Sequence, residues 1–231
     1  MKRSLNPTLW RTCRVLMNEV RLRLLRAVVD NDDSLNVSGI ARLLEMSQPL
    51  ASNGLRALQA RGLIGVRRER YSVYYNMKED RSLPEATQLR NAFVAYFGSA
   101  KLDADWPDAM MIRLKAFTHF NRLAMLRRLA RGAATKSELE AASGIVVKTI
   151  EHHLRILHRA QIIEERFGDN RVAEYRLRAP SDQVVCELLR QTIGGSQSYV
   201  NFAKGTERDL RLICGKRGTR RFVKRKAHFK G

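Results

Sequence analysis

Apolar positions fall at helical spacing through most of the first sixty residues, then switch to alternation. Leu9, Trp10, Cys13 and Leu16 predict a short helix over Pro7 to Met17. Asn18 is placed to cap a second helix, Glu19 to Val29, whose stripe is Val20, Leu24 and Ala27 with Leu25 and Val28 beside it. The loop Asp30-Asn31-Asp32-Asp33-Ser34 follows, then a helix near Val37 to Leu44 with Ile40, Leu43 and Leu44 inward. Met46-Ser47 turns into another helix, ended by Gly62. Ser47 suits its cap and Pro49 its first turn, where a missing N–H does no harm. Ala51, Leu55 and Leu58 stand at i, i+4 and i+7, one apolar stripe. Leu63 to Met77 then alternates, as a two-stranded hairpin does.

The pattern comes a second time. Arg21-Leu22-Arg23-Leu24-Leu25-Arg26 matches Arg122-Leu123-Ala124-Met125-Leu126-Arg127 at an offset of 101. Leu55-Arg56-Ala57-Leu58 matches Leu154-Arg155-Ile156-Leu157 at 99, Leu63-Ile64 matches Ile162-Ile163 at 99, and Tyr75 matches Tyr175 at 100. Offsets that drift this little mean one fold used twice. The second block is predicted as helices over Met111 to Arg131, Lys136 to Ala142 and Val147 to Arg159. Its hairpin runs from Ile162 to Leu177, turning at Gly168-Asp169-Asn170. Each hairpin precedes an amphipathic helix. The first is Pro84 to Phe97, with Leu89, Phe93 and Tyr96 on one face; the second is capped by Ser181 and runs to Ile193 before Gly194-Gly195. Thr206 to Cys214 suggests one more helix, and Gly215 to Gly231 carries eight Lys or Arg and no acid, a basic arm read as disordered.

The polar positions give the helices their chemistry. Gln48, Ser52, Asn53 and Arg56 lie off the apolar stripe, and these side-chain types reach base edges and phosphates in a major groove. Arg67, Arg68 and Arg70 then load the hairpin with charge. A polar-faced helix followed by a basic hairpin is the winged-helix pattern. The second copy offers Lys148, Thr149, His152 and Arg155 on its helix and Arg171 on its hairpin. The reading is therefore mainly α with small β wings: two winged helix-turn-helix domains in tandem, a linker helix and a basic tail. The boundaries are 1–80, a connector over 81–109, 110–180, C-terminal helices over 181–214 and the tail over 215–231.

Charge narrows the partner. The chain of 231 residues has a net charge of +20 and a pI near 10.7, a field that favours polyanions. Residues 1–77 hold 13 basic and 6 acidic side chains and residues 111–180 hold 14 and 7, each a net +7, while residues 78–110 are at −2 and residues 181–231 at +8. Two equally basic blocks around a mildly acidic connector fit two DNA-facing modules. No apolar run approaches the roughly 18 residues of a membrane span, and Met1 to Trp10 lacks a signal-peptide core, which points to the cytoplasm and the nucleoid. Cys13, Cys186 and Cys214 are odd in number and in no CxxC pattern, as reduced thiols are. His152 and His153 are adjacent, so a helix points them about 100° apart, not as a metal pair. Gly54 inside a helix costs about 1 kcal/mol against Ala, for close approach to DNA or for tight packing.

The first block resembles the ArsR-type winged-helix regulators of bacteria and archaea. The resemblance is carried by Arg21-Leu22-Arg23-Leu24-Leu25, Val37-Ser38-Gly39-Ile40-Ala41, Met46 to Asn53, Leu55-Arg56-Ala57-Leu58, Gly62-Leu63-Ile64 and Val73-Tyr74-Tyr75, over nearly all of residues 6–77. Residues 110–178 look like a diverged copy, carried by Thr149 to Arg155. The resemblance implies DNA-binding regulation of transcription, usually repression, by a two-fold dimer with a recognition helix in each major groove. It also implies dimer contacts through the first and last helices, here Pro7 to Met17 with Pro84 to Phe97 and their counterparts.

Some residues depart from that pattern. Asn36 and Ser38 stand where the family's metal sensors carry paired cysteines, so no soft-metal site, metal or cofactor is expected. Val146 replaces the capping serine of the second copy, and Glu151 stands where the first copy has Ser52. A carboxylate there repels phosphates but accepts from cytosine N4. Tandem copies also let one chain imitate a dimer, so pairing is either with a second copy or within one chain.

The expected partner is double-stranded DNA. The alternatives to a repressor are an architectural or replication protein with little sequence choice, and an RNA-binding module. No GxGxxG, P-loop, HExxH or nucleophile elbow supports an enzyme.

Overall fold

A computed structural model of the protein describes residues 9–32, 34–78, 83–99, 102–144, 147–167, 171–180 and 182–194, without the side chains of residues 147 and 148. Val146, the Gly168-Asp169-Asn170 turn, Ser181, Gly195, the helix over Thr206 to Cys214 and the basic tail lie outside the described residues. The first unit runs α1 (Leu9–Leu16), α2 (Glu19–Asp30), α3 (Val37–Leu43), α4 (Gln48–Gln59), β1 (Gly65–Glu69), β2 (Ser72–Asn76) and α5 (Pro84–Ser99). The second runs α6 (Trp106–Lys115), α7 (Phe120–Leu129), β3 (Ala134–Thr135), α8 (Lys136–Ser143), α9 (Val147–Arg159), β4 (Ile163–Phe167), β5 (Ala173–Leu177) and α10 (Gln183–Ile193). It is a mostly helical fold with small antiparallel hairpins, two winged helix-turn-helix units in tandem.

Caps explain most boundaries. The Asn18 side chain accepts from the Arg21 N–H at 3.0 Å, and Asn36 accepts from the Gly39 N–H at 2.9 Å. Thr135 and Glu138 form a reciprocal capping box at the start of α8. Ser47 does sit at the N-cap of α4 in extended backbone, but its side chain makes no capping bond, so Pro49 starts that helix without help from the hydroxyl. Asp182, next to the expected cap, accepts from the Val185 N–H at 2.9 Å and opens α10.

Leu43, read as inward, is 53 % exposed, and two elements differ from expectation. The helix predicted over Met111 to Arg131 is two helices, broken at residues 116–119. His119 leaves the helix with φ −143°, and its ring accepts from the Asn121 N–H. Arg122 donates to the carbonyls of Ala116 at 3.1 Å and Lys115 at 2.8 Å, which satisfies the end of α6. In the first unit Arg21 donates in the same way to the Val15 carbonyl. The second difference is β3, whose Ala134 and Thr135 pair with Tyr175 and Glu174 and make a three-stranded sheet ordered β3-β5-β4. The first unit has a single bridge there, Asn36 with Tyr74.

Backbone conformation repeats along with the elements. Left-handed residues occur at Glu45 and Gly144 in the helix-turn-helix turns, at Gly62 and Gln161 after the recognition helices, and at Arg70 and Arg171 at the wing tips. Sheet register repeats too: Val66 faces Tyr75 in one wing, and Glu165 faces Tyr175 in the other.

The units pack on one another through matching helices. α5 lies along α10 and α1 along α6, and α6 also touches α2. Gln191 donates to the Glu85 carbonyl at 2.8 Å and Arg190 to the Gln88 side chain, while within the second unit Arg113 pairs with Asp182 at 3.0 Å. Trp106 stands edge-on to Phe97 at 5.2 Å with the Arg26 guanidinium over it at 5.7 Å. One apolar cluster runs from Leu9 to Ile193 through both units. Cys13 and Cys186 are buried within the fold, and burial raises the Cys13 pKa. No helix among the described residues is long and apolar enough to cross a membrane.

Candidate nucleic-acid interface

α4 buries Ala51, Gly54, Leu55 and Leu58, which turns Gln48, Asn53 and Arg56 to solvent and leaves Ser52 half-buried. Arg56 donates to the Asn53 Oδ1 at 2.9 Å and, through Nε, to the Ser52 carbonyl at 3.4 Å. The guanidinium and the amide are thus held together. A Cβ at Gly54 would run into the Leu24 Cδ1 methyl. That glycine therefore serves the packing of α4 on α2, which decides between its two readings.

On the first wing Arg68 and Arg70 are exposed, while Arg67 is half-buried, stacks over Tyr74 at 4.5 Å and pairs with Glu69. Burial raises the pKa of the Tyr75 hydroxyl, against the opposing pull of Arg56 and Arg68. Arg56 from the helix and Arg68 from the wing thus bear on one site.

The second unit has the same backbone and other chemistry. α9 buries Ile150, His153, Leu154 and Leu157 and exposes Thr149, Glu151, His152 and Arg155. Lys148 lies on the same helix, with its side chain outside the described residues. Glu151 accepts from Lys136 Nζ at 2.6 Å, and that ammonium holds its pKa below the usual carboxylate range. Tyr175 donates to Glu165 at 3.2 Å; burial first, then Glu165 and Glu151, push its pKa up to about 12. Wing arginines are matched with acids here: Arg166 with Glu164 at 2.7 Å, Arg176 with Glu174 at 3.4 Å. Arg171 is exposed.

His153 takes the place of Gly54. It is 5 % exposed and its Nδ1 lies 3.1 Å from Arg122 Nη1. Burial, then Arg122, hold its pKa down at about 4, and burial lowers Arg122 to about 10. A neutral imidazole accepting from a buried guanidinium fits both shifts.

Residues 17–71 match the MarR family, and residues 120–165 match the family described as bacterial regulatory protein, arsR family. No curated protein and no solved structure matches the chain. The chain carries two winged-helix regulator domains in tandem. It is a DNA-binding transcriptional regulator.

The tandem regulator displays most of the sequence-predicted surface. Gln48, Ser52, Asn53, Arg56, Arg68 and Arg70 share the α4 and wing side of the first unit, and Ser47 is exposed at its edge. Thr149, His152 and Arg155 share the exposed side of α9. Arg67 stands apart, because ring stacking and an ion pair already hold it. Periodicity missed the Lys136–Glu151 pair, whose partners come from different helices. It also missed the Arg122–His153 contact, although the match of Arg122 to Arg21 had marked that arginine.

Proposed function

We propose that the regulator is a repressor that lays both recognition helices on one duplex, with domains near 1–80 and 110–180 acting as an intramolecular pair. The observation that carries this is the pairing of α1 with α6 and α5 with α10 in one continuous core, which leaves α4 and α9 exposed. These are the helices expected to join two subunits in a dimer; here the partner helices come from the same chain. Gln48, Ser52, Asn53 and Arg56 read bases in the first unit, and Lys148, Thr149, His152 and Arg155 in the second. Arg68 and Arg70 on the first wing hold phosphates, which position the protein without selecting sequence. Soft-metal sensing has no place in this reading, because Asn36 is spent on capping α3 and Ser38 supplies no thiolate.

Selection of bound duplexes from random DNA with the full chain tests the proposal. A preferred sequence bound about 10³-fold or more above random DNA is expected, and Asn53→Ala should change the preference at one or two positions. Equal binding to all duplexes, or tighter binding to RNA, would overturn it in favour of an architectural or an RNA-binding protein.

A further inference from the structure

An open cleft of about 690 Å³ lies between α6 and α9, with Met17 of the first unit at its edge. Lys115 of α6 and His152, Arg155 and Arg159 of α9 line it, against a single acid, Asp108. His152, Arg155 and Arg159 are exposed and stand at i, i+3 and i+7, so one stripe of the recognition helix forms a wall of the cleft. The cleft is therefore continuous with the surface assigned to bases. A recognition helix about 10–12 Å across fills a major groove about 12 Å wide. The sugar-phosphate ridges flanking the groove must then meet whatever stands on either side of the helix.

The two sides of α9 differ in charge. Toward the junction stand Lys115, Arg155 and Arg159 against Asp108; toward the wing stand Glu151, paired with Lys136, and Glu165, both near the Tyr175 ring. In the first unit the wing side carries Arg56 and Arg68 around Tyr75. Burial first, then Arg122 and Arg14 of α1, lower the His119 pKa beside the junction, so the positive charge there comes from both units.

We infer that the cleft between α6 and α9 seats the DNA backbone on Lys115 and Arg159, and that the duplex leaves the protein there without engaging the second wing. This rests on the proposed reading of α9 as a recognition helix. The first unit holds its backbone on the wing side and the second on the junction side, so one chain follows a lopsided track.

The test uses the full chain, a selected duplex and a salt titration of affinity. Lys115→Gln with Arg159→Gln removes two phosphate contacts and leaves the Lys115 carbonyl to accept from Arg122. The slope of log K against log salt should become shallower by about 1.8, from roughly 0.9 per phosphate; an unchanged slope overturns the seat. Glu165→Gln with Glu174→Gln should leave affinity within about twofold, since charges more than a Debye length of about 8–10 Å from the duplex are screened. Tightening of tenfold or more would place DNA on the second wing and overturn the exit. Small anions offered as competitors (benzoate, inorganic phosphate) should not displace DNA at millimolar concentration; displacement by either, lost in the double variant, would make the cleft a small-anion site and overturn the seat. If the wild-type chain binds no duplex, the proposed function falls; if it binds and the double variant keeps its slope, only this inference falls.

Discussion

Tyr75 and Tyr175 occupy the same place in two copies of one backbone, and their surroundings are opposite in sign. Arg56 and Arg68 surround the first; Glu165 and Glu151 surround the second. Duplication preserved the turns, down to left-handed arginines at both wing tips, while the charges that a polyanion would meet diverged. The first wing, residues 65–76, has three arginines and one glutamate; the second, residues 163–177, has three arginines and four acids. Equal net charge in the two blocks conceals this, because the second unit carries its positive charge elsewhere, at Lys115, Arg127, Arg128 and Arg131 among others. Fold and electrostatic character are thus separable, and the second wing is the less basic of the two.

Breaking the first unit should have the largest effect. Arg56→Ala with Arg68→Ala should weaken duplex binding by tens of fold and make the salt dependence shallower by about 1–2. Arg155→Ala with Arg171→Ala should cost several-fold less, measured by fluorescence anisotropy on the same duplex. Equal losses would erase the asymmetry.

Acid should also tell the units apart. His153 has a folded pKa of about 4, below its unfolded value near 6.5, so the unfolded chain binds more protons between those values. Stability should therefore be full above about pH 6.5 and fall toward pH 4, by an amount on the order of 3 kcal/mol. His153→Gln keeps an acceptor for Arg122 and should flatten that decline in thermal melts. An unchanged decline would assign it to other groups. Gly54→Ala tests the matching position: the added methyl meets Leu24 and should destabilise by about 1–3 kcal/mol with base preference unchanged. The smallest effect is expected at Glu45, whose left-handed backbone matches Gly144; Glu45→Gly should raise stability by about 1 kcal/mol in denaturant unfolding.

Periodicity made the repeat, the helices and both hairpins legible, because apolar spacing follows directly from which face is buried. It ran α6 and α7 together, since apolar residues continue across residues 116–119, and the break depends on a guanidinium reaching back to two carbonyls. β3 escaped because two residues are too few to show alternation. The exposed faces of α4 and α9 could be read as the complement of the buried stripes. Their electrostatics could not: Lys136 reaches Glu151 from another helix, and Arg67 is held by Tyr74 across the hairpin. Such pairs depend on how elements are placed in space. Pairing of α5 with α10 was expected only as one of two ways to make a dimer.

In the proposed mode one chain lays two unequal recognition helices on a single duplex. A hydroxyl-radical footprint of the full chain on its selected duplex is the decisive measurement. Two protected stretches about one helical turn apart are expected, with added protection from a wing at one end alone. A footprint with two-fold symmetry, as two chains bound through their first units would leave, would contradict it.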